Sequence, residues 1–160
     1  VDHWLSDVLL EECRTLPVFV QTAFIPGLGN QEAAFDPDQM RQVMINLINN
    51  AAEAMSEKIA NSGQETGYVP QLTVSTFQNG EFAEISVSDN GPGIEEANLK
   101  RIREPLFTTK SFGVGLGIPA IERILQNHGG ELLIRSTSGQ GTVMTARFRF
   151  TPAEAYAQVL

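Results

Sequence analysis

The chain has 160 residues, 42% of them hydrophobic and 19% charged, which suits one globular domain with its own core. Its formal net charge of -8 excludes a general attraction for nucleic acid or other polyanions, so no nucleic-acid partner is expected. Any nucleotide must be held locally, by backbone amides, a metal ion or a few placed cations. Cys13 is the only cysteine, so no internal disulfide can form, and no apolar run reaches the length of a membrane span. The N-terminus lacks a signal-peptide pattern, and a cytoplasmic setting is expected.

Residues 2–15 are predicted to be helical, with Leu5, Val8, Leu9 and Glu12 at helical spacing and Pro17 beyond the end. The β-branched and aromatic run 18–25 predicts a strand, 26–30 a loop and 32–35 a short strand. Asp36-Pro37 signals a helix start, with Asp as N-cap and Pro at the first helical position; this helix should run to about residue 60. A polar, Gly-containing connection covers 61–70. Strands are expected over 72–79 and 81–89, joined at Asn79-Gly80, a strong hairpin signal. After a glycine loop at 90–93 come a short helix over 95–103, a lid or loop over 104–114 and a helix over 115–128 stopped by Gly129-Gly130. Two more strands, 131–136 and 142–150, flank Ser138-Gly139-Gln140-Gly141. The predicted fold is an α/β sandwich of the α+β kind, a mixed sheet with helices on one face, over a domain 1–150 with a tail at 151–160.

Three patterns point to chemistry. At roughly 100° per residue, Met40, Val43, Met44, Leu47, Ile48, Ala51, Ala54 and Met55 share an apolar helix face, while Asn46, Asn49, Asn50 and Glu53 gather on another side. Asparagine is a weak helix former, so this cluster costs helix stability without local benefit. Either it is a solvated face or its amide oxygens are ligands for a cation such as Mg²⁺. In the strand before the first glycine loop, Ala83, Ile85, Val87 and Asp89 alternate onto one face. A carboxylate there needs partners: local amides of the loop, or an amine such as the exocyclic amino group of adenine. Gly91 and Gly93 let backbone approach a flat ligand closely. Finally, Gly113-Val114-Gly115-Leu116-Gly117 opens a helix and offers amides to phosphate; it is neither a Walker A loop nor a dinucleotide fingerprint.

In order and spacing these pieces resemble the catalytic domain of bacterial two-component sensor histidine kinases, within the gyrase-like ATPases. Asn46 to Ala54 resembles the asparagine box, and Asp89 to Ile94 the first glycine box. Glu104 to Lys110 resembles the phenylalanine box, Gly113 to Gly117 the second glycine box, and Gly139 to Thr142 a final Gly-Thr box. The similarity covers roughly residues 5–150. It implies a Bergerat-type ATP-binding fold with ATP and Mg²⁺ as cofactors. Asn50 would coordinate Mg²⁺ with help from Asn46, and Asp89 would bind the adenine amino group. Gly91 and Gly93 would let the base and lid fit, Gly113, Gly115 and Gly117 would cradle phosphates, and Thr142 would lie beside adenine. Lys110 would contact phosphate from the lid that Phe107 anchors. Ile94, Thr109, Val114 and Leu116 complete the implied cofactor-binding set, and Asn46, Asn50 and Lys110 the catalytic one.

Some positions depart from the family pattern. Glu53 stands where many relatives carry a basic residue, and Arg103 where phenylalanine is frequent. Lys100, Arg101 and Arg103 either supply cations to phosphate or form a solvated face. Asn46 stands where ATP-hydrolysing members and anti-sigma serine kinases usually carry glutamate, and asparagine cannot act as a general base. This favours γ-phosphoryl transfer to an acceptor supplied from elsewhere, over a gyrase-like ATPase, a protein serine kinase or a mere nucleotide-binding interaction module. Neither His3 nor His128 has the His-Glu or His-Asp helical context of an acceptor; His128 is expected to cap or pack. The resemblance therefore implies an upstream dimerisation and phosphoacceptor domain, a response regulator downstream, and a parent protein that is homodimeric and either free or membrane-attached.

Overall fold

Alternating apolar and polar residues in the second half of the chain build most of the sheet. In a computed structural model, residues 1–31, 33–62, 67–108 and 115–149 are described. The strands are β1 (Gln21–Ile25), β2 (Gln71–Asn79), β3 (Phe82–Asp89), β4 (Glu131–Thr137) and β5 (Gly141–Arg149). They form one mixed sheet in the order β1-β2-β3-β5-β4, with β1 parallel to β2 and the other neighbours antiparallel. Leu72, Val74, Ala83, Ile85, Val87, Leu132, Ala146 and Phe148 are buried beneath the helices on one face. The opposite face is more polar: the Ser86 and Thr145 hydroxyls lie 2.6 Å apart, and buried Glu84 accepts from the Asn79 amide.

The helices are α1 (Asp2–Glu12), α2 (Pro37–Asn61), α3 (Glu96–Leu99) and α4 (Gly117–Asn127). Asp36 caps α2, its carboxylate accepting from the amides of Asp38 and Gln39. The apolar stripe of α2 is buried as its periodicity requires, except that Ala54 is half-buried beside Gly91. At the end of α4, the amides of Gly129 and Gly130 donate back to Gln126 and Leu125, closing the helix. The His128 ring spans two helices: Nδ1 lies 2.8 Å from the Ile124 carbonyl, and Nε2 accepts from the Asp36 amide at 3.0 Å. It is a packing and capping group, as its place before two glycines suggested.

Several elements differ from the sequence reading. Among the described residues of 32–35 there is no strand; Phe35 instead packs edge-on against Trp4 and Phe148, at 4.9 and 5.8 Å. β1 begins at Gln21 rather than 18, because the Val20 amide closes a turn onto the Pro17 carbonyl. The helix expected over 95–103 is only four residues long and continues as turns. Asp2, at the start of α1, carried no recognisable signal. Its buried carboxylate accepts from the Leu28 and Gly29 amides and from the Thr76 hydroxyl, anchoring the loop after β1. The tail 151–160 lies outside the described residues.

Candidate functional site

The apolar periodicity of α2 fixes which of its faces lies on the sheet, and so places its asparagines at the sheet's end. There a cavity of about 310 Å³ opens between α2, the start of α4 and the ends of β3 and β5. Asn46, Asn50, Asp89, Gly93, Ile94, Phe107, Gly115, Leu116, Gly117 and Thr142 all line it. Gly91 sits just behind, where a Cβ would meet Asp89 Oδ1 at 2.8 Å and the Ala54 Cβ at 3.1 Å. Thr109, Lys110, Gly113 and Val114 lie outside the described residues, as does most of the expected lid.

Asp89 ends β3 on the same face as Val87, and the register sets it opposite Thr142 of β5. Its Oδ1 accepts from the Gly91 amide at 2.8 Å, so the local-cap reading is realised while the carboxylate also lines the cavity. The adjacent Asn90 turns to a different task. Its side chain accepts from the Gln71 amide and the Tyr68 hydroxyl and donates to the Val69 carbonyl, fastening the approach to β2. Burial, and then the Asp89 charge, push the Tyr68 hydroxyl above its ordinary pKa.

Gly93 must be glycine on two counts. Its φ is +70°, and a Cβ there would lie 2.1 Å from the Thr137 carbonyl oxygen. Gly115, at φ +73°, also packs closely on Leu106, where a Cβ would lie 2.6 Å from the carbonyl carbon; the Leu106 amide donates to the Gly115 carbonyl at 3.1 Å. That bond ties the chain before 107–114 to the chain after it. Leu106 itself holds a left-handed φ of +67°, a strained setting for a bulky side chain.

α4 begins at Gly117 with no side-chain cap, and Pro119 occupies its first turn. Free amides at such an end suit an anion. Asn50 faces this end: its Oδ1 lies 3.8 Å from where a Gly117 Cβ would be. Among the described residues, no group of three or more His, Cys, Asp or Glu side chains gathers as a metal site. The oxygen donors that α2 contributes to the cavity are the amides of Asn46, Asn49 and Asn50 and the carboxylates of Glu53 and Glu57. Hard oxygen donors of this kind fit Mg²⁺, which keeps water and phosphate oxygens as its other ligands.

Among the described residues, the three cations at 100, 101 and 103 already have partners. Arg103 pairs with Glu122 of α4 and donates to the Leu132 carbonyl. Arg101 pairs with Glu104 and lies over the Phe107 ring at 4.4 Å, and Lys100 pairs with Glu96. The solvated-face reading therefore fits Lys100 and Arg101, while Arg103 ties the segment after α3 to α4 and β4. Sequence reasoning missed the apolar wall of Ile102, Ile118 and Met144 and the polar rim of Glu57 and Asn98. Met144 was within reach, since it alternates with Thr142 along β5. Ile102 was not, because it lies in a turn without periodicity.

A family model described as histidine kinase-, DNA gyrase B-, and HSP90-like ATPase matches residues 35–152. The chain belongs to this ATPase family. Sporulation kinase C of Bacillus subtilis is 43% identical over 108 residues, 68% of this chain and 23% of its own length. Sensor histidine kinase ZraS of Escherichia coli is 35% identical over 126 residues, 79% of this chain and 25% of its own. The solved catalytic domain of histidine kinase ThkA, in a nucleotide-free form, superposes with a TM-score of 0.75 at 25% identity. That likeness covers 95% of this chain and 93% of the other. This ATPase domain is thus of the histidine-kinase kind, and it spans about a quarter of the length of the curated relatives it matches. No described helix is long and apolar enough to cross a membrane.

Proposed function

We propose that the domain binds Mg-ATP and donates the γ-phosphoryl group to a histidine on a separate dimerisation domain, from which a response regulator is then served. The observation that carries this reading is one cavity that gathers Asp89, Asn50 and the uncapped start of α4. Asp89 accepts a hydrogen bond from the adenine amino group, and Thr142 lies beside the base. The amides opening α4, with Gly113, Gly115 and Gly117, hold phosphates, and Lys110 reaches them from the lid. Asn50, assisted by Asn46, holds Mg²⁺, which when bound neutralises developing charge on the phosphates. The chain's own contribution is to position the nucleotide and shield it from water.

Hydrolysis by a gyrase-like mechanism, or transfer to serine, is the second reading. It is disfavoured because Asn46 occupies the place of the glutamate base and has no proton affinity to offer. A pure interaction module is disfavoured by the intact glycine boxes, Asp89 to Ile94 and Gly113 to Gly117. Calorimetric titration with ATP and GTP, with and without Mg²⁺, tests the base and metal assignments. ATP should bind in preference to GTP, and Asn50→Ala should weaken the Mg²⁺-dependent part while the fold persists. Equal affinity for the two nucleotides would remove Asp89 from the account, and an unaltered Mg²⁺ dependence in the variant would move the metal elsewhere.

A further inference from the structure

Ser136 of β4 stands outside every motif singled out in the sequence, yet three polar groups converge on its hydroxyl. It accepts from the Ile94 amide at 2.8 Å, lies 3.0 Å from the Gly141 carbonyl, and is 2.8 Å from Thr142 Oγ1. A serine hydroxyl has one hydrogen and two lone pairs. All three contacts become hydrogen bonds in one arrangement. Ile94 N–H and Thr142 O–H both donate to Ser136, and Ser136 donates to Gly141. The hydrogen of Thr142 is then committed, and the hydroxyl of this buried residue, 5% exposed, offers the cavity only lone pairs. Its register partner across β3 and β5 is Asp89, whose carboxylate is likewise an acceptor.

We propose that Ser136 is a positioning residue for base recognition. By holding Thr142 as an acceptor beside Asp89, it makes a two-acceptor floor that takes a purine 6-amino group and rejects a 6-oxo group. An amino group has two hydrogens to satisfy such a floor, whereas a carbonyl oxygen there would face two acceptors. Ser136 acts through Thr142 and also fixes the first glycine loop through the Ile94 amide. The inference rests on the proposed placement of adenine at Asp89.

The test is calorimetric binding of ATP and inosine triphosphate to the 160-residue chain and its variants. Ser136→Ala leaves the Thr142 hydrogen without its acceptor, so that hydroxyl can turn and donate to a 6-oxo group. The ATP-over-ITP affinity ratio should fall about three- to tenfold, the scale of one hydrogen bond. Thr142→Val should lower the ratio by itself, and adding Ser136→Ala to it should change the ratio no further. Ser136→Thr, which keeps a hydroxyl, should restore the wild-type ratio. Equal weakening of both nucleotides by Ser136→Ala, or a Thr142→Val variant with the full ratio, would overturn the inference while leaving Asp89 in place. If the wild-type chain itself shows no preference for ATP, the adenine placement falls and the inference with it.

Discussion

At Asp89 the backbone and the proposed ligand make demands on the same carboxylate, which caps the Gly91 amide and lines the cavity. Asp89→Asn should therefore weaken ATP binding by at least ~1–3 kcal/mol, the scale of a hydrogen bond to a charged group. Titration calorimetry reads this directly, and undiminished affinity would assign the base to other residues. Gly93 invites a stability test instead. Its left-handed backbone alone makes Gly93→Ala cost ~1–3 kcal/mol, and the close Thr137 carbonyl adds to it. Urea unfolding should show a lowered midpoint; an unchanged midpoint would mean that the loop relaxes freely. At this scale the sequence was legible wherever a residue broke a local rule. Asparagines inside a helix and an aspartate on an apolar strand face both lie on the cavity. Ser136 broke no rule, because serine in an edge strand is ordinary, and only the three-dimensional convergence on its hydroxyl reveals it.

Helix ends set the geometry between elements. Asp36 caps α2, and hydrogen bonds from Gln39, foremost its backbone amide, hold its carboxyl below the ordinary 3.8. Because the folded pKa is depressed, the stabilisation is fully present above the unfolded value and is lost as pH falls through the folded one. Thermal unfolding should show Asp36→Ala lowering Tm near neutral pH, with the gap from wild type closing in strong acid. A gap that persists unchanged at low pH would show that charge plays no part in the cap. Arg103 is the second joint, linking the segment after α3 to Glu122 and the Leu132 carbonyl. Arg103→Ala should loosen that segment by ~1 kcal/mol, since the pair is partly exposed and one bond is to a carbonyl. Hydrogen exchange at residues 99–108 should accelerate while α2 stays protected. Exchange left at the wild-type rate would make the pair ornamental. The strong caps of α2 and α4 were readable from Asp36-Pro37 and Gly129-Gly130. The short α3 and the absence of a strand among the described residues 33–35 were not, because apolar residues there serve tertiary contacts, as Phe35 does between Trp4 and Phe148.

Across the whole molecule, two long-range facts make the site: the β3–β5 register that aligns Asp89 with Thr142, and the packing of α2 against α4 that brings Asn50 to the start of α4. The mixed sheet followed from strand and helix patterning, but the order β1-β2-β3-β5-β4 is not dictated by local pattern, since β1 joins as a parallel edge across a long helix. The motif order supplied what periodicity could not. The central claim is that this domain passes a phosphoryl group to a histidine elsewhere. It is tested most directly by incubating the chain with γ-labelled ATP, alone and with the dimerisation domain of its parent protein. The account predicts slow hydrolysis and almost no self-labelling from the chain alone, and labelling of the added domain by an acid-labile, base-stable phosphate. Rapid ATP turnover by the chain alone, or an acid-stable phosphoserine product, would contradict it.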